Sequence, residues 1–285
     1  MPKRIAYLGP PGTYTEDATE RYDPSAERYP CSTISATADA VRSGEADEGV
    51  APIENSLEGA INDTLDLLIR EPMLMVRQEV LVPIRHCLLV KPGTKASDIQ
   101  MVYSHPQALG QCRRHLEETL PNATPQAALS TAASVEQMLA SDAPSAAIAS
   151  RRAGDLYGAE VLEEDIQDVA GNTTRFVVLA KEDQEPTGDD KTSICFDFDE
   201  DRGTLVGDTP GLLYNVIGEF ARRNISMTKI ESRPSKSEMG RYIFLVDLIG
   251  HRQDAIMVEA LKAVELQTSH IKVFGSYPRY HEGQS

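Results

Sequence analysis

The chain is 285 residues long, carries 44 acidic against 28 basic side chains, and has a formal net charge of −16. That length exceeds one small core and suits two domains, or one two-lobed domain with an appendage. The charge excludes nucleic acid as a general partner, because a phosphate backbone is repelled.

With 41% hydrophobic and 25% charged residues, the composition is that of a globular protein. No run approaches the roughly eighteen apolar residues of a membrane span, and "MPKRIAYLGP" has no signal-peptide core, so no membrane association and a cytoplasmic location are expected. Among the cations, 19 are Arg and 9 are Lys, and Trp is absent. Such an acidic, lysine-poor composition suits a cytoplasm of high ionic strength, or alternatively a GC-rich genome that favours Arg codons. Cys31, Cys87, Cys112 and Cys195 form no CxxC pair and have no His at zinc-finger spacing. They read as reduced, buried thiols, with no metal and no cofactor expected.

In chain order, "RIAYLG", "EGVAPIE", "HCLLV", "MVYSH", "AAIAS" and "RFVVLA" read as strands. Between them Ile61, Leu65 and Leu68 recur at helical spacing, as do Leu109, Cys112 and Leu116. This alternation predicts an α/β domain with mainly parallel sheets. "KEDQEPTGDDK" at 181–191 has no apolar residue and reads as a linker. Beyond it, "TSICFDF", a helix presenting Leu213, Ile217 and Phe220, "ISMTKIESR", "RYIFLVDLIG", a helix stacking Met257, Leu261 and Val264, and "IKVFGSY" spell βαββαβ, a ferredoxin-like sandwich.

Three strand-to-helix junctions share a polar design. "IAYLGPPGTYTEDA" passes through Gly9–Gly12 to Thr13 and to Thr15 as the expected N-cap; "VAPIENSLEGAINDTLDLL" passes through Asn55 and Ser56; "VYSHPQALGQCRRHL" passes through Ser104, His105 and Gln107. In an open α/β sheet, ligands sit beyond the carboxyl ends of the strands, where helix N-termini present free N–H groups. A fourth polar cluster, "NTTRF", opens the strand at 172–176. Each element alone reads as a cap or turn. Together they predict a pocket for a small anion.

These motifs resemble the prephenate dehydratases. "GPPGTYTEDA", "PIENSLEGAINDTLDLL", "SHPQALGQC" and "TRF" at 174–176 are similar to that family's signatures, and residues 192–277, with "ESRP" at 231–234, resemble its ACT domain. The resemblance implies an α/β, two-lobed catalytic domain like the type 2 periplasmic binding proteins over 1–181, a linker at 182–191, and a ferredoxin-like ACT regulatory domain over 192–285. It further implies decarboxylative dehydration of prephenate to phenylpyruvate by a carbon–oxygen lyase, with the protein a homodimer or homotetramer. Thr174, Asn55 and Gln107 match catalytic positions; Arg175, Phe176, Ser56, Ser104 and Thr13 are expected to bind substrate, with Arg175 as a carboxylate clamp. Glu54 and His105 stand as alternative proton sources. L-Phenylalanine is the implied allosteric effector, bound by Gly211, Leu212, Leu213, Glu231, Ser232, Arg233 and Pro234.

Leu212 departs from the alanine common there, and the loop at 199–211 reads as longer than usual. With no spare length at either end for a chorismate mutase segment, one activity is expected. Arogenate dehydration and a non-catalytic anion sensor of the same fold are the competing readings.

Overall fold

The protein is described by a computed structural model covering residues 2–198, 210–236 and 240–281. Most of the expected loop at 199–211 lies outside the described residues. By contacts, the described chain divides into two compact units: residues 1–64 with 80–176, and 65–79 with 177–285.

The first unit is built around two lobes. In the first lobe the strands follow the order Glu27–Cys31, Arg4–Leu8, Glu48–Asn55, Thr173–Ala180, Met75–Pro83, with the short Gly59–Ala60 pairing beside Glu48–Asn55. The second lobe runs Thr124–Ala127, Met101–Ser104, Ser145–Ala149, Cys87–Val90, Glu160–Glu163. The two orders are the same: a second strand, a first, a third, then a strand that belongs to the crossover, then an edge. In each lobe the first strand is parallel to both of its neighbours. Such a layout leaves the strand-to-helix junctions of both lobes at one end, where a cleft forms.

The core strands are continuous apolar runs because helices cover both faces; Val177–Leu179 and Ala146–Ala149 are fully buried. The chain crosses outward after Pro83 and returns at Asn172, and the two crossings touch: the Ile84 N–H donates to the Asn172 carbonyl at 2.8 Å.

The second unit contains Asp190–Asp197, helix Leu212–Arg222, Met227–Pro234, Tyr242–Ile249, helix Ala255–Glu265 and His270–Pro278. Its antiparallel sheet has the strand order second, third, first, fourth, which is the expected βαββαβ sandwich. Val216 and Phe220 of the first helix and Met257, Ala260 and Val264 of the second fill its core with Ile194, Phe196, Val246 and Leu248. Ile217 and Leu261, expected in that core, are displaced to its rim by Val216 and Ala260, one position away on the same broad apolar stripe.

The segment expected as a linker is tied down. Asp183 receives Arg252 Nε at 2.7 Å and the Ser276 N–H at 2.9 Å, and Asp190 receives the Thr187 and Gly188 N–H groups. Residues 65–79 join this unit through charge. Lys272 Nζ donates to the carbonyls of Leu68 and Glu71 at the end of helix Asn62–Arg70, where the macrodipole favours a cation, and Lys191 pairs with the buried Glu79 at 2.8 Å.

Candidate active site

Three helices deliver their N-termini to one cavity of about 820 Å³ in the first unit. Thr13, not Thr15, caps helix Tyr14–Tyr22, accepting the Glu16 N–H; Thr15 is the second residue of the helix and is buried. Thr33 caps Ile34–Ser43 and places Ser32 on the wall; Ser130 caps Thr131–Ala140, and both Ser130 and Thr131 line the cavity. The rest of the wall is largely apolar, from Leu8, Pro10, Pro30, Ile61, Ile84, Leu129 and Phe176. The helix expected to carry Leu109, Cys112 and Leu116 breaks at Cys112 into Pro106–Gln111 and Arg113–Thr119. The break leaves Gln111 as the last residue of the first piece, on the cavity wall.

A directed hydrogen-bond network occupies one side. Asn55 Oδ1 accepts the N–H groups of Leu57 (3.0 Å) and Glu58 (3.1 Å), which fixes the amide so that Nδ2 faces inward. Nδ2 then donates to Asn172 Oδ1 (2.8 Å) and to Thr174 Oγ1 (2.9 Å). Thr174 is 7% exposed, and with its oxygen accepting from Asn55 its own proton is free to point into the cavity. Asn172 Nδ2 donates to Gln111 Oε1 at 3.0 Å, and His86 Nε2 lies 3.0 Å from the same oxygen. Burial holds the His86 imidazole below its ordinary value, so it is neutral at pH 7. Burial likewise drives the Tyr14 phenol far above its ordinary value; it stays protonated and donates to the Arg85 carbonyl.

Of the residues expected to act, Thr13, Asn55, Gln107, Thr174 and Phe176 line the cavity. Three do not. Ser104 is fully buried and donates to the Ile148 carbonyl at 2.6 Å. Ser56 exchanges backbone and side-chain hydrogen bonds with Thr173, fastening two strand ends. Arg175 is one residue from Thr174 on the same strand, so it emerges on the opposite face, where it pairs with Glu54 at 3.5 Å. Its expected place as a clamp in the cavity is therefore not what the structure shows, and Glu54 is off the wall with it. His105 does line the cavity; its Nδ1 accepts the Gln107 N–H and caps the short helix.

Among the described lining residues there is no Lys or Arg, and Glu58 is the one carboxylate. The polar groups that this wall offers are helix N-termini and neutral donors. Gln111, His86 and Tyr14 are the functional candidates that motif reading passed over, and Asn172, noted in "NTTRF", has no assigned role there; "SHPQALGQC" contains Gln111, but only the break at Cys112 shows that it faces the site. Among the described residues no group of three or more His, Cys, Asp or Glu is arranged to hold a metal ion, and no helix is long and apolar enough to cross a membrane.

In the second unit, Gly211 has φ +90° at the start of helix Leu212–Arg222, a backbone conformation that suits glycine. Leu212 and Leu213 follow, half-buried. On Met227–Pro234, Glu231 pairs with Lys229 at 3.3 Å, Ser232 and Pro234 are exposed, and the buried Arg233 donates to Asp66 Oδ1 at 2.7 Å.

Two α/β lobes of matching strand order around a cleft, with a βαββαβ sheet in the same chain, define a type 2 periplasmic-binding-protein-like protein carrying an ACT module. A family model for prephenate dehydratase matches residues 5–184, and one for the ACT domain matches 203–266. The chain is 42% identical over 277 residues to a bifunctional chorismate mutase/prephenate dehydratase of Aquifex aeolicus, covering 97% of this chain and 74% of that protein. It is 41% identical to the chloroplastic arogenate dehydratase 5 of Arabidopsis thaliana, covering 96% and 67%. A solved prephenate dehydratase of Arthrobacter aurescens in complex with L-Phe superposes with a TM-score of 0.87 at 36% identity, over 97% of this chain and 90% of that one. The chain belongs to the prephenate dehydratase family.

Proposed function

We propose that this protein converts prephenate to phenylpyruvate, with Thr174 as the donor to the departing oxygen. The observation that carries this reading is the Asn55–Thr174 contact, which aims a hydroxyl proton into the cavity of a chain in this family.

In the reaction the ring C–O bond breaks and the hydroxyl leaves with its electron pair. The bond to the ring carboxylate breaks as well, its electrons completing the aromatic ring as carbon dioxide departs. The leaving hydroxide takes a proton and becomes water. Aromatisation supplies the driving force, so the site has chiefly to orient the substrate and stabilise charge on the leaving oxygen. Thr174 supplies a hydrogen bond there; its hydroxyl is too weak an acid to transfer its proton outright at neutral pH. The side-chain carboxylate is held at the helix N-termini, and the ring carboxylate faces the apolar wall, where weak solvation favours its loss. His105, on the wall, is the candidate proton source.

Phenylpyruvate formation, read as its enolate absorbance in alkali, tests the activity. Thr174→Ala is expected to lower kcat by about a hundredfold with a modest change in KM. An unchanged kcat would remove Thr174 from the chemistry. Arogenate dehydration is the second reading, favoured by Glu58, a carboxylate on the wall able to meet an ammonium, and by the relative at 41% identity; parallel assay of both substrates separates them.

The same proposal assigns the catalytic role to residues 1–181 and a regulatory one to 192–285, with L-phenylalanine bound near Gly211 and Glu231–Pro234. Tyr214, Ile230 and Tyr242, all exposed, support pairing of this module between copies in a cytoplasmic dimer or tetramer. Calorimetric titration of phenylalanine alongside the activity assay tests this; neither binding nor inhibition at millimolar ligand would leave the module an assembly device.

A further inference from the structure

His86 lies on the outward crossing between the lobes, Asn172 lies on the return, and each is 2% exposed. Gln111 reaches them from the second lobe. Its amide orientation follows from its neighbours: Nε2 faces the Glu58 carboxylate at 3.4 Å, so Oε1 faces His86 and Asn172, and both must donate to it. The imidazole is thereby the Nε2–H tautomer. Its Nδ1 stands 3.5 Å from the Tyr14 hydroxyl, whose proton is committed to the Arg85 carbonyl. The donor is settled at every step: His86 and Asn172 both donate to Gln111, and Asn55 donates to both Asn172 and Thr174.

We propose that His86 is a positioning residue for the reaction: as a neutral Nε2–H donor it holds Gln111 of the second lobe against Asn172, which keeps the Asn172 oxygen in place as the second acceptor of the Asn55 amide that donates to Thr174. It reaches Asn55 and Thr174 through the two amides between them, Gln111 and Asn172. Because Gln111 belongs to one lobe while Asn55 and Thr174 belong to the other, this hold on Asn172 lasts only while the lobes stand together. A ligand that bridges the cleft therefore secures this hold as it binds. The inference rests on the reading that Thr174 serves the departing oxygen.

The test is a double-mutant cycle. His86→Leu removes the donor and keeps bulk, whereas His86→Gln retains an N–H at similar reach; each is made alone and with Thr174→Ala, and kcat, KM and melting temperature are measured with prephenate. His86→Leu is expected to lower kcat about tenfold or more with KM within about twofold, and His86→Gln to recover most of it. In the Thr174→Ala background His86→Leu should cost less than about twofold, since the hydroxyl it positions is gone.

A tenfold loss that persists in that background, or a His86→Gln variant that melts like the wild type but is as slow as His86→Leu, overturns the proposal. A harmless Thr174→Ala would instead sink the parent reading. Should His86→Leu not fold, ¹⁵N spectra of the wild-type imidazole decide: a neutral Nε2–H tautomer at pH 7 is expected, and an Nδ1–H or charged ring is incompatible with the role.

Discussion

Asn55 Nδ2 lies 2.9 Å from Thr174 Oγ1, and this contact gives the threonine hydroxyl its direction. A free hydroxyl rotates to suit its surroundings. Here the oxygen accepts from an amide whose own orientation is locked by the Leu57 and Glu58 N–H groups, so the proton is left for the cavity.

Asn55→Asp is the sharpest probe of that polarity. The carboxylate still accepts from Leu57 and Glu58 but cannot donate, so the Thr174 proton turns back toward it. A fall in kcat of about a hundredfold is expected, with the Asn55→Asp/Thr174→Ala pair no worse than Thr174→Ala alone. Near-normal turnover in steady-state assays would show that the direction of the hydroxyl does not matter.

Arg175→Lys should act on stability more than on substrate. The pair with Glu54, at side-chain exposures of 13% and 33%, keeps its charges but loses the guanidinium geometry. About 1 kcal/mol is expected, seen as a melting point lower by about 2–4 °C, with KM within about twofold. A tenfold rise in KM at unchanged melting temperature would put Arg175 back in contact with the substrate.

The pH dependence follows from His86. Its folded value is depressed below the ordinary 6.5, first by burial, against which the Gln111 hydrogen bond acts in the opposite direction. The titratable groups facing it are the Tyr14 phenol and, through Gln111, the Glu58 carboxylate. Above 6.5 both folded and unfolded imidazoles are neutral, and the stability contribution is complete. As pH falls below 6.5 the unfolded chain takes up the proton first, so stability is lost from there down to the depressed folded value. Activity should therefore hold through pH 6.5 and fail only below it, and His86→Gln should flatten that acid limb. A kcat that halves at pH 6.5 or above would mean that some other group controls it.

Salt should help this protein. With a net charge of −16 and no Lys or Arg among the described residues of the cavity wall, both the chain and an incoming dianion work against repulsion. Raising potassium chloride from low to about molar concentration screens that repulsion within a few ångströms, and should raise the melting temperature and lower KM. A flat or falling melting curve would leave codon usage as the reason for the composition.

The apolar core strands were legible in the sequence because burial on both faces forces continuous runs such as "FVVLA" and "AAIAS", and the βαββαβ order of residues 190–278 followed from periodicity alone. The edge strands Glu27–Cys31, Thr124–Ala127 and Glu160–Glu163 were not, since an edge open to water imposes no apolar pattern; Thr124–Ala127 is exposed at all four positions. Asn55 and Thr174 each stood out in a motif. Their contact spans 119 residues and exists only because their strands belong to one sheet. Strand alternation already places Thr174 and Arg175 on opposite faces, so only one of them can reach a given cavity. Which one does depends on the side where the second lobe closes. His86 reads in sequence as the entry to an apolar strand, and nothing local marks it, because its partners Gln111 and Tyr14 lie 25 and 72 positions away. Motifs reported which side chains carry chemistry; the direction of every hydrogen bond among them was decided by packing, which alone fixes where each amide and hydroxyl must point.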